Sequence, residues 1–215
     1  GAFSPFVSEA RTANAIRSCR PDVAGLTEIY RTSRRDQPKR LSRHGEYESL
    51  FHGVRPVRGG EYGNLLLARF PLREARRIPL GGRGEARGCL LAEVDASLGT
   101  ITIGLTHLGL GSKSRCEQIA ELFRTLPRDR PLILVGDFNS RQHELEPLLT
   151  FLATVPKPPP TFPSVLPVAP LDRVLFSHDF ALRAAGTPFT LASDHRPLVV
   201  DLTLADVSGR RPHLT

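Results

Sequence analysis

The chain of 215 residues contains no tryptophan and no methionine, and aromatic residues make up only 7% of it. So few rings offer little surface for stacking bases, which weighs against recognition of single-stranded nucleic acid by stacking. No apolar run approaches the roughly 20 residues that a membrane-spanning helix needs. Because the chain starts at Gly1 and lacks methionine, we expect that its native start is missing or has been processed away.

Cysteine is also scarce. The three cysteines, Cys19, Cys89 and Cys116, lack the spacing of metal ligands. Cys89 lies in the apolar run 88–92, so we expect it to be buried and unreactive.

Basic residues are abundant by comparison, and nearly all of them are arginines. The chain carries 29 lysines and arginines against 22 acidic residues, a net charge of +7, and its lysines are Lys39, Lys113 and Lys157 alone. A cationic surface attracts phosphates, and the guanidinium fork grips a phosphate with two hydrogen bonds. A general preference for arginine in the source genome explains the composition equally well, so both readings stay open.

The length fits a single domain over residues 1–215 with enough chain for a full core. We expect a monomeric, cytoplasmic protein, although the missing native start leaves export open.

The spacing of apolar residues predicts a helix from Ser4, its N-cap, to about Cys19, and further helices over 114–126 and 144–152. The basic stretch 31–43 is expected to form a loop and a short helix. Predicted strands cover residues 22–29, 47–52, 64–69, 88–95, 100–106, 131–136, 171–177 and 197–204. Several strands follow each other through short turns, which indicates antiparallel hairpins and a mixed α/β fold without regular βαβ alternation.

The proline-rich segment 156–170 has two interpretations. It reads either as a linker between domains or as a stiff surface loop, and the strand after it belongs to the same predicted sheet, which favours the loop. Its apolar residues would also suit contact with a membrane surface, although packing on the protein's own body explains them as well.

Acids, amides and histidines follow several of the apolar strands. The strand 131–136 runs into Asp137 and Asn139, and similar polar ends occur at Glu28, His107 and His195. Chemistry in α/β proteins concentrates at such strand ends. Taken singly, each residue is more typical of a salt bridge, a satisfied core histidine or a helix cap. Only together do they indicate a site.

Six segments of this kind occur in the order found in one known family. They are Arg20-Pro21-Asp22-Val23-Ala24-Gly25-Leu26-Thr27-Glu28, Tyr62-Gly63-Asn64-Leu65-Leu66-Leu67-Ala68-Arg69, Thr106-His107-Leu108, Gly136-Asp137-Phe138-Asn139, Leu171-Asp172-Arg173-Val174 and Ser193-Asp194-His195-Arg196-Pro197-Leu198. Across nearly its whole length the chain resembles the endonuclease/exonuclease/phosphatase superfamily, and most closely its small bacterial members. The resemblance implies an α/β (α+β) fold of the DNase I type, a four-layer sandwich of two mixed sheets packed face to face with helices outside.

The resemblance also implies roles for individual residues. Glu28 and Asp194 match metal-binding carboxylates, and the implied cofactor is Mg²⁺ or Mn²⁺. The matching catalytic residues are Asp137 for the attacking water, Asn139 to steady either this aspartate or the phosphate, His195 for the phosphate, Asp172 to hold that histidine, and His107 as a candidate general acid.

Three residues are candidate substrate contacts. Asn64 lies where the family often places an amide near the phosphate, and a hydrogen bond at the strand start is its alternative role. Arg87 and Arg115 are possible phosphate contacts, with exposed surface charge as the alternative.

The chain departs from the family pattern at its start. Members open with a strand that carries an asparagine, and nothing similar precedes Ser4-Pro5, so we expect that the first strand lies upstream of residue 1. Thr27 also replaces the glutamine that commonly precedes the glutamate.

The implied function is metal-dependent hydrolysis of a phosphodiester by in-line attack of an activated water. The implied substrate is a nucleic acid or a phospholipid head group, and peripheral membrane contact is one possibility. The alternative is a noncatalytic basic module that binds nucleic acid or anionic lipid on the same fold. Sensitivity to a chelator separates the two, since electrostatic binding responds mainly to salt.

Overall fold

Two layers of β-sheet lie between two layers of helix in the computed structural model, which describes residues 8–96 and 99–205. The elements, in chain order, are α1 (Glu9–Cys19), β1 (Val23–Thr32), α2 (Gln37–Arg43), β2 (Glu48–Val57), β3 (Gly60–Ala68), β4 (Leu72–Leu80), β5 (Arg87–Ala96), β6 (Gly99–His107), α3 (Ser112–Thr125), β7 (Leu132–Asp137), a 3₁₀ turn (Gln142–Leu145), α4 (Glu146–Leu149), β8 (Leu152–Thr154), β9 (Asp172–Ser177), β10 (Phe180–Gly186) and β11 (Val199–Leu204).

The larger sheet has six strands in the order β4-β5-β6-β7-β9-β8. β6 and β7 are parallel, joined through α3, whereas the other neighbours run antiparallel. The register pairs His107 with Asp137 across β6 and β7, and Asp137 with Asp172 across β7 and β9. Three polar residues that are far apart in sequence therefore lie in one row along this edge of the sheet.

The second β-layer is divided into a three-stranded sheet, β1-β3-β2, and the pair β10-β11. Both are antiparallel among the described strands. Successive residues of β3 face opposite sides: Leu66 packs with Leu90 of the larger sheet, whereas Leu65 packs with Leu41 of α2. A strand that is buried on both faces has a continuous run of apolar residues instead of an alternating pattern, and β3 contains such a run at residues 65–68. The predicted α/β sandwich is confirmed, although its second layer is not one mixed sheet.

Helices α3 and α4 cover the outer face of the larger sheet. Ile119 and Leu122 of α3 pack against Leu132 and Leu134 of β7, and all four side chains are almost completely buried. Removing most of a leucine side chain from such a core costs about 2 to 5 kcal/mol. None of the helices in the described part of the chain is long and apolar enough to cross a bilayer.

Three strands, β4, β8 and β10, were absent from the sequence prediction. β4 lies in the arginine-rich stretch 69–87 and forms an edge of the larger sheet, where Arg73 pairs with Asp95 at 3.0 Å. Charged residues are typical of edge strands, and they mask the apolar alternation from which strands are predicted. β10 is likewise exposed along most of its length, for example at Ala184 and Ala185.

The predicted helix over 144–152 is wrong in its second half, because the chain leaves the helix after Leu149 and starts strand β8 at Leu152. At the amino end, α1 begins at Glu9 after Ser8, and the predicted N-cap at Ser4 lies outside the described residues.

The proline-rich segment 156–170 joins β8 to β9, which pair with each other in the larger sheet. The loop interpretation is therefore confirmed, and the interpretation as a linker between domains is wrong.

Candidate active site

A glycine allows β6 and β7 to approach closely where the polar row begins. Gly136 has φ 148°, and a Cβ built on it would lie 1.9 Å from the carbonyl oxygen of Thr106. No other residue type fits this backbone at this distance. Asn139, two residues beyond Asp137, adopts a left-handed conformation with φ 48°, which asparagine tolerates better than most residues.

Asp137 and Asn139 form one hydrogen-bonded unit. The Asn139 backbone N–H donates to Asp137 Oδ1 at 2.9 Å, and its side-chain amide donates to Asp137 Oδ2 at 3.2 Å. The same amide donates to the Leu108 carbonyl at 3.1 Å, which ties the loop after β6 to the loop after β7. The sequence prediction that Asn139 steadies Asp137 is consistent with this geometry.

Burial is the main reason that Asp137 keeps a proton more readily than an ordinary aspartate. Together with the negative charge of Asp172, burial outweighs the opposing effect of His195 and raises the pKa of Asp137 to about 7. A carboxylate with this pKa is partly deprotonated near neutral pH, and it can still accept a proton with useful driving force.

His107 is held between Arg87 and Asp137. Arg87 Nη1 lies 3.0 Å from His107 Nδ1, and His107 Nε2 lies 3.4 Å from Asp137 Oδ2. A guanidinium can only donate, so Nδ1 is the acceptor and the imidazole proton is on Nε2. Burial and the positive charge of Arg87 lower the pKa of His107 to about 4. At neutral pH His107 is therefore a neutral hydrogen-bond donor on the Asp137 side, and its role as a general acid stays a prediction.

Asp172 and His195 form a second pair beside the first. His195 Nδ1 lies 2.8 Å from Asp172 Oδ2. Burial opposes the charge on His195, but the hydrogen bond and negative charge of Asp172, with smaller effects from Asp137 and Asp194, raise its pKa to about 9. His195 is thus protonated at neutral pH, with Nδ1 fixed by Asp172 and its second ring nitrogen able to donate to a phosphate oxygen.

Glu28 lies at an irregularity in β1, where the pairing with β3 shifts between Leu26 and Ile29. Its φ of 61° is unusual for a residue with a side chain. Burial acts to raise the pKa of Glu28, but a hydrogen bond from Tyr62 and other favourable interactions outweigh burial, so the pKa is lowered. Glu28 is therefore a carboxylate at neutral pH.

Tyr62 is the residue that sequence reasoning missed. The alternation of β3 places Tyr62 on the same inward face as Asn64 and Leu66, and that periodicity is the signal from which it could have been found. The partnership with Glu28 itself depends on the pairing of β1 with β3, which the sequence does not display.

The predicted residues meet in one cavity of about 1380 Å³. Its lining includes Glu28, Arg87, His107, Asp137, Asn139, Asp172, Asp194 and His195, and it continues as an apolar cleft between β1 and β11.

Two predicted substrate contacts have other partners. The Asn64 amide donates to the Gly88 carbonyl of β5 at 3.2 Å, and Asn64 lies inside β3 rather than at the start of a strand, where it was predicted. Arg115 is buried, and its guanidinium donates to Glu144 and to the Gly109 carbonyl. The alternative of an exposed surface charge is therefore wrong for Arg115. Substrate contact by these two residues stays a prediction.

Glu28 and Asp194 both line the cavity, and their carboxylate oxygens are the type of ligand that a hard cation such as Mg²⁺ prefers. Within residues 8–96 and 99–205 there is no group of three or more His, Cys, Asp and Glu side chains placed to hold a metal ion. Mg²⁺ usually keeps several waters and binds through one or two carboxylates plus substrate phosphate, so two carboxylates fit this ion.

The sandwich fold, with carboxylates and histidines gathered in one cavity, is that of a class of hydrolases that act on phosphate esters. The Endonuclease/Exonuclease/phosphatase family model matches residues 6–195, and the chain belongs to this family, whose members are phosphoesterases.

Individual proteins are similar to this chain in sequence or in fold. Over an alignment of 219 residues the chain is 28% identical to the uncharacterized protein YbhP of Escherichia coli, covering 90% of this chain and 85% of YbhP. An endonuclease/exonuclease/phosphatase from Beutenbergia cavernae superposes with a TM-score of 0.79 at 25% identity, covering 94% of this chain and 69% of that one. The fold is also that of a mannosyl-6-phosphatase from Bacteroides thetaiotaomicron, with a TM-score of 0.75, 17% identity and coverage of 91% and 90%.

Proposed function

We propose that this protein is a phosphodiesterase that depends on Mg²⁺ or Mn²⁺ and hydrolyses a phosphodiester by in-line attack of an activated water. The observation that carries the proposal is the row formed by His107, Asp137 and Asp172 on three neighbouring strands, with His195 held by the last of them. An acceptor with a pKa of about 7 next to a protonated donor is the pairing that such a reaction requires.

Each side chain then has a definite task. Asp137, oriented by Asn139, accepts the proton of the attacking water. His195 donates to a nonbridging phosphate oxygen, and the negative charge that grows there in the transition state strengthens this hydrogen bond. Burial, together with the positive charge of Arg87, keeps His107 neutral, so that the Nε2–H of His107 can donate to Asp137 or to the substrate.

Glu28 and Asp194 are the residues that would hold the divalent ion. The ion supplies positive charge that stabilises the developing oxyanion and the leaving oxygen. Tyr62 keeps Glu28 in place through its hydroxyl hydrogen bond.

The test uses bis(p-nitrophenyl) phosphate, a soluble phosphodiester, with Mg²⁺ or Mn²⁺ present. We expect turnover that EDTA abolishes and that added Mn²⁺ restores. Asp137→Asn and His195→Gln should each lower kcat by about a hundredfold or more, because each removes a proton acceptor or donor from the transition state.

The matched control for these variants is Glu121→Gln, a change in an exposed ion pair on α3. It should leave kcat unchanged, and circular dichroism should be the same for all three variants. Turnover that persists in EDTA, or in both site variants, would contradict the proposal. Phosphate binding without turnover, weakened by salt alone, would favour the noncatalytic module instead.

A further inference from the structure

Several large apolar side chains stand in solvent beside the candidate active site. Val165, Leu166 and Val168 lie in the proline-rich loop with 65%, 73% and 74% of their surface exposed, and Phe189 in the loop before β11 is 66% exposed. We call these four residues the apolar rim. Three of the four lie within residues 165–168, and exposed apolar side chains that cluster in this way mark contact with another body.

The backbone that carries the rim is firmly held. Phe162 and Ala169 form a two-residue bridge at the base of the loop, with hydrogen bonds of 3.0 Å and 2.9 Å. The Ser164 N–H donates to the Asp194 carbonyl at 2.7 Å, and Arg196 Nε donates to the Ser164 carbonyl at 2.7 Å. The loop is fixed at both its base and its middle, so the exposure of its apolar side chains is built into the fold.

The rim is also tied directly to the catalytic histidine. The ring of Phe162 lies 5.0 Å from the ring of His195. Arg196, the next residue, places its guanidinium 3.3 Å from the Val165 carbonyl and 5.2 Å from the centre of the Phe189 ring. One arginine therefore joins both parts of the rim to the residue that would contact the phosphate.

The two loops that carry the rim contain a basic residue and no acidic one. Residues 156–170 contain Lys157 and no acid, and residues 187–193 contain no charged residue at all. Arg11 of α1 lines a small hollow together with Phe189, and Arg196 lies between the two loops. Asp194 is the nearby acid, and its carboxylate belongs to the cavity of the candidate active site.

We propose that the apolar rim inserts into the surface of an anionic bilayer and that the site acts on the phosphate esters of lipid head groups there. Apolar side chains flanked by cations match the acyl and head-group layers of such a surface, which bind by apolar burial and by charge together. A nucleic acid backbone offers no counterpart for three exposed aliphatic side chains. The substrate part of this inference rests on the proposed phosphodiesterase activity, whereas the docking part does not.

The absence of tryptophan from the chain allows a direct test of docking. Leu166→Trp introduces a single indole into the rim, and Val168→Trp provides a second position in case the first variant folds poorly. With vesicles of phosphatidylglycerol and phosphatidylcholine, we expect a blue shift of the indole emission and protection from acrylamide.

The matched control is Leu204→Trp, at the far end of β11 from His195, where the leucine is 36% exposed. Its emission should not change on adding vesicles. Indoles at 166 and 168 that stay fully accessible to acrylamide, or a control that shifts as much as they do, would overturn the docking.

The substrate is tested by the combined variant Val165→Ser, Leu166→Ser and Val168→Ser. Because it removes most of the apolar rim, vesicle binding in a flotation assay should weaken by about tenfold or more. Release of head groups from phosphatidylglycerol vesicles should fall in parallel, while hydrolysis of soluble bis(p-nitrophenyl) phosphate stays at the wild-type rate.

The two assays separate the two proposals. Soluble hydrolysis without vesicle hydrolysis, or vesicle hydrolysis that the combined variant leaves unchanged, would overturn the lipid inference alone. Failure of soluble hydrolysis would overturn the phosphodiesterase proposal, while the tryptophan reporters would still decide whether the rim docks. A wild-type protein that cleaves single- or double-stranded DNA much faster than vesicle phospholipid would also count against lipid as the substrate.

Discussion

The ion pair between Arg115 of α3 and Glu144 of the 3₁₀ turn anchors the loop that follows β6, and replacing Glu144 by glutamine should destabilise the fold. Glu144 accepts from Arg115 Nη2 at 2.9 Å, from Ser112 Oγ at 2.7 Å and from the Arg141 N–H at 2.8 Å. Arg115 in turn donates to the Gly109 carbonyl at 3.3 Å. The two side chains are only 10% and 5% exposed, so a lost partner leaves a buried charge.

The size of the effect follows from the pKa of Glu144. Burial opposes its charge, but the hydrogen bonds from Arg115, Ser112 and Arg141 outweigh burial and lower the pKa from 4.5 to about 2. Since one pKa unit corresponds to about 1.4 kcal/mol, the folded state favours the carboxylate by about 3 kcal/mol. In a protein of this size that loss lowers Tm by about 6 to 12 °C.

The assay is urea unfolding of the wild type and Glu144→Gln, with Glu121→Gln as the control. The Glu121–Arg124 pair lies on the exposed face of α3, so its loss should cost less than about 1 kcal/mol. A group whose pKa is lowered by folding stabilises above its unfolded pKa and loses that effect as pH falls through its folded pKa. The difference in the free energy of unfolding between wild type and Glu144→Gln should therefore be constant from about pH 7 to pH 5 and shrink toward pH 3.

This reasoning would be refuted if Glu144→Gln and Glu121→Gln lowered the free energy of unfolding equally. It would also be refuted if the difference in stability between wild type and Glu144→Gln did not become smaller in acid. A change in the urea m-value would show instead that the variant alters the compactness of one state rather than its stability.

Three further predictions concern the site and the core. Gly136→Ala should destabilise the protein by more than about 4 kcal/mol or prevent folding, since its Cβ would lie 1.9 Å from the Thr106 carbonyl oxygen; a normal urea midpoint would contradict this. Asp172→Asn should lower kcat about a hundredfold, because the amide cannot stabilise the charge on His195; unchanged turnover of bis(p-nitrophenyl) phosphate would count against the pair. Burial raises the pKa of Cys89 to about 12, so a thiol reagent should modify it only after unfolding, and equal rates in native and unfolded protein would exclude this.

Local sequence was sufficient to predict a strand or a buried side chain wherever the apolar pattern of the segment itself indicated it. β6 and β7 are apolar runs that end in polar residues, and each was predicted within about one residue of its observed bounds, whereas β3 begins at Gly60, before its predicted start at residue 64. Cys89 was expected to be buried, and it is completely so. β4 escaped prediction because the charged residues of this edge strand mask its apolar alternation. β10 is not polar, since Arg183 is its one charged residue, and it forms a strand through its pairing with β11.

The partners of the charged residues were outside the reach of local sequence. Arg115 was predicted to be a phosphate contact or a surface charge. Its buried guanidinium instead donates a hydrogen bond to Glu144, which is 29 residues away along the chain. Arg87 and His107 are 20 residues apart and meet only because β5 and β6 pair. Contacts of this kind depend on strand register, which one sequence does not specify.

The sequence by itself determined which residue types the candidate site contains: a glutamate, three aspartates, an amide and two histidines at or near strand ends, in the order of one hydrolase family. The tertiary structure decided the state of each group. The parallel pairing of β6 with β7 and the antiparallel pairing of β7 with β9 bring His107, Asp137 and Asp172 into one buried row. Burial and the neighbouring charges there raise the pKa of Asp137, because a carboxylate loses its hydration when the sheets close around it.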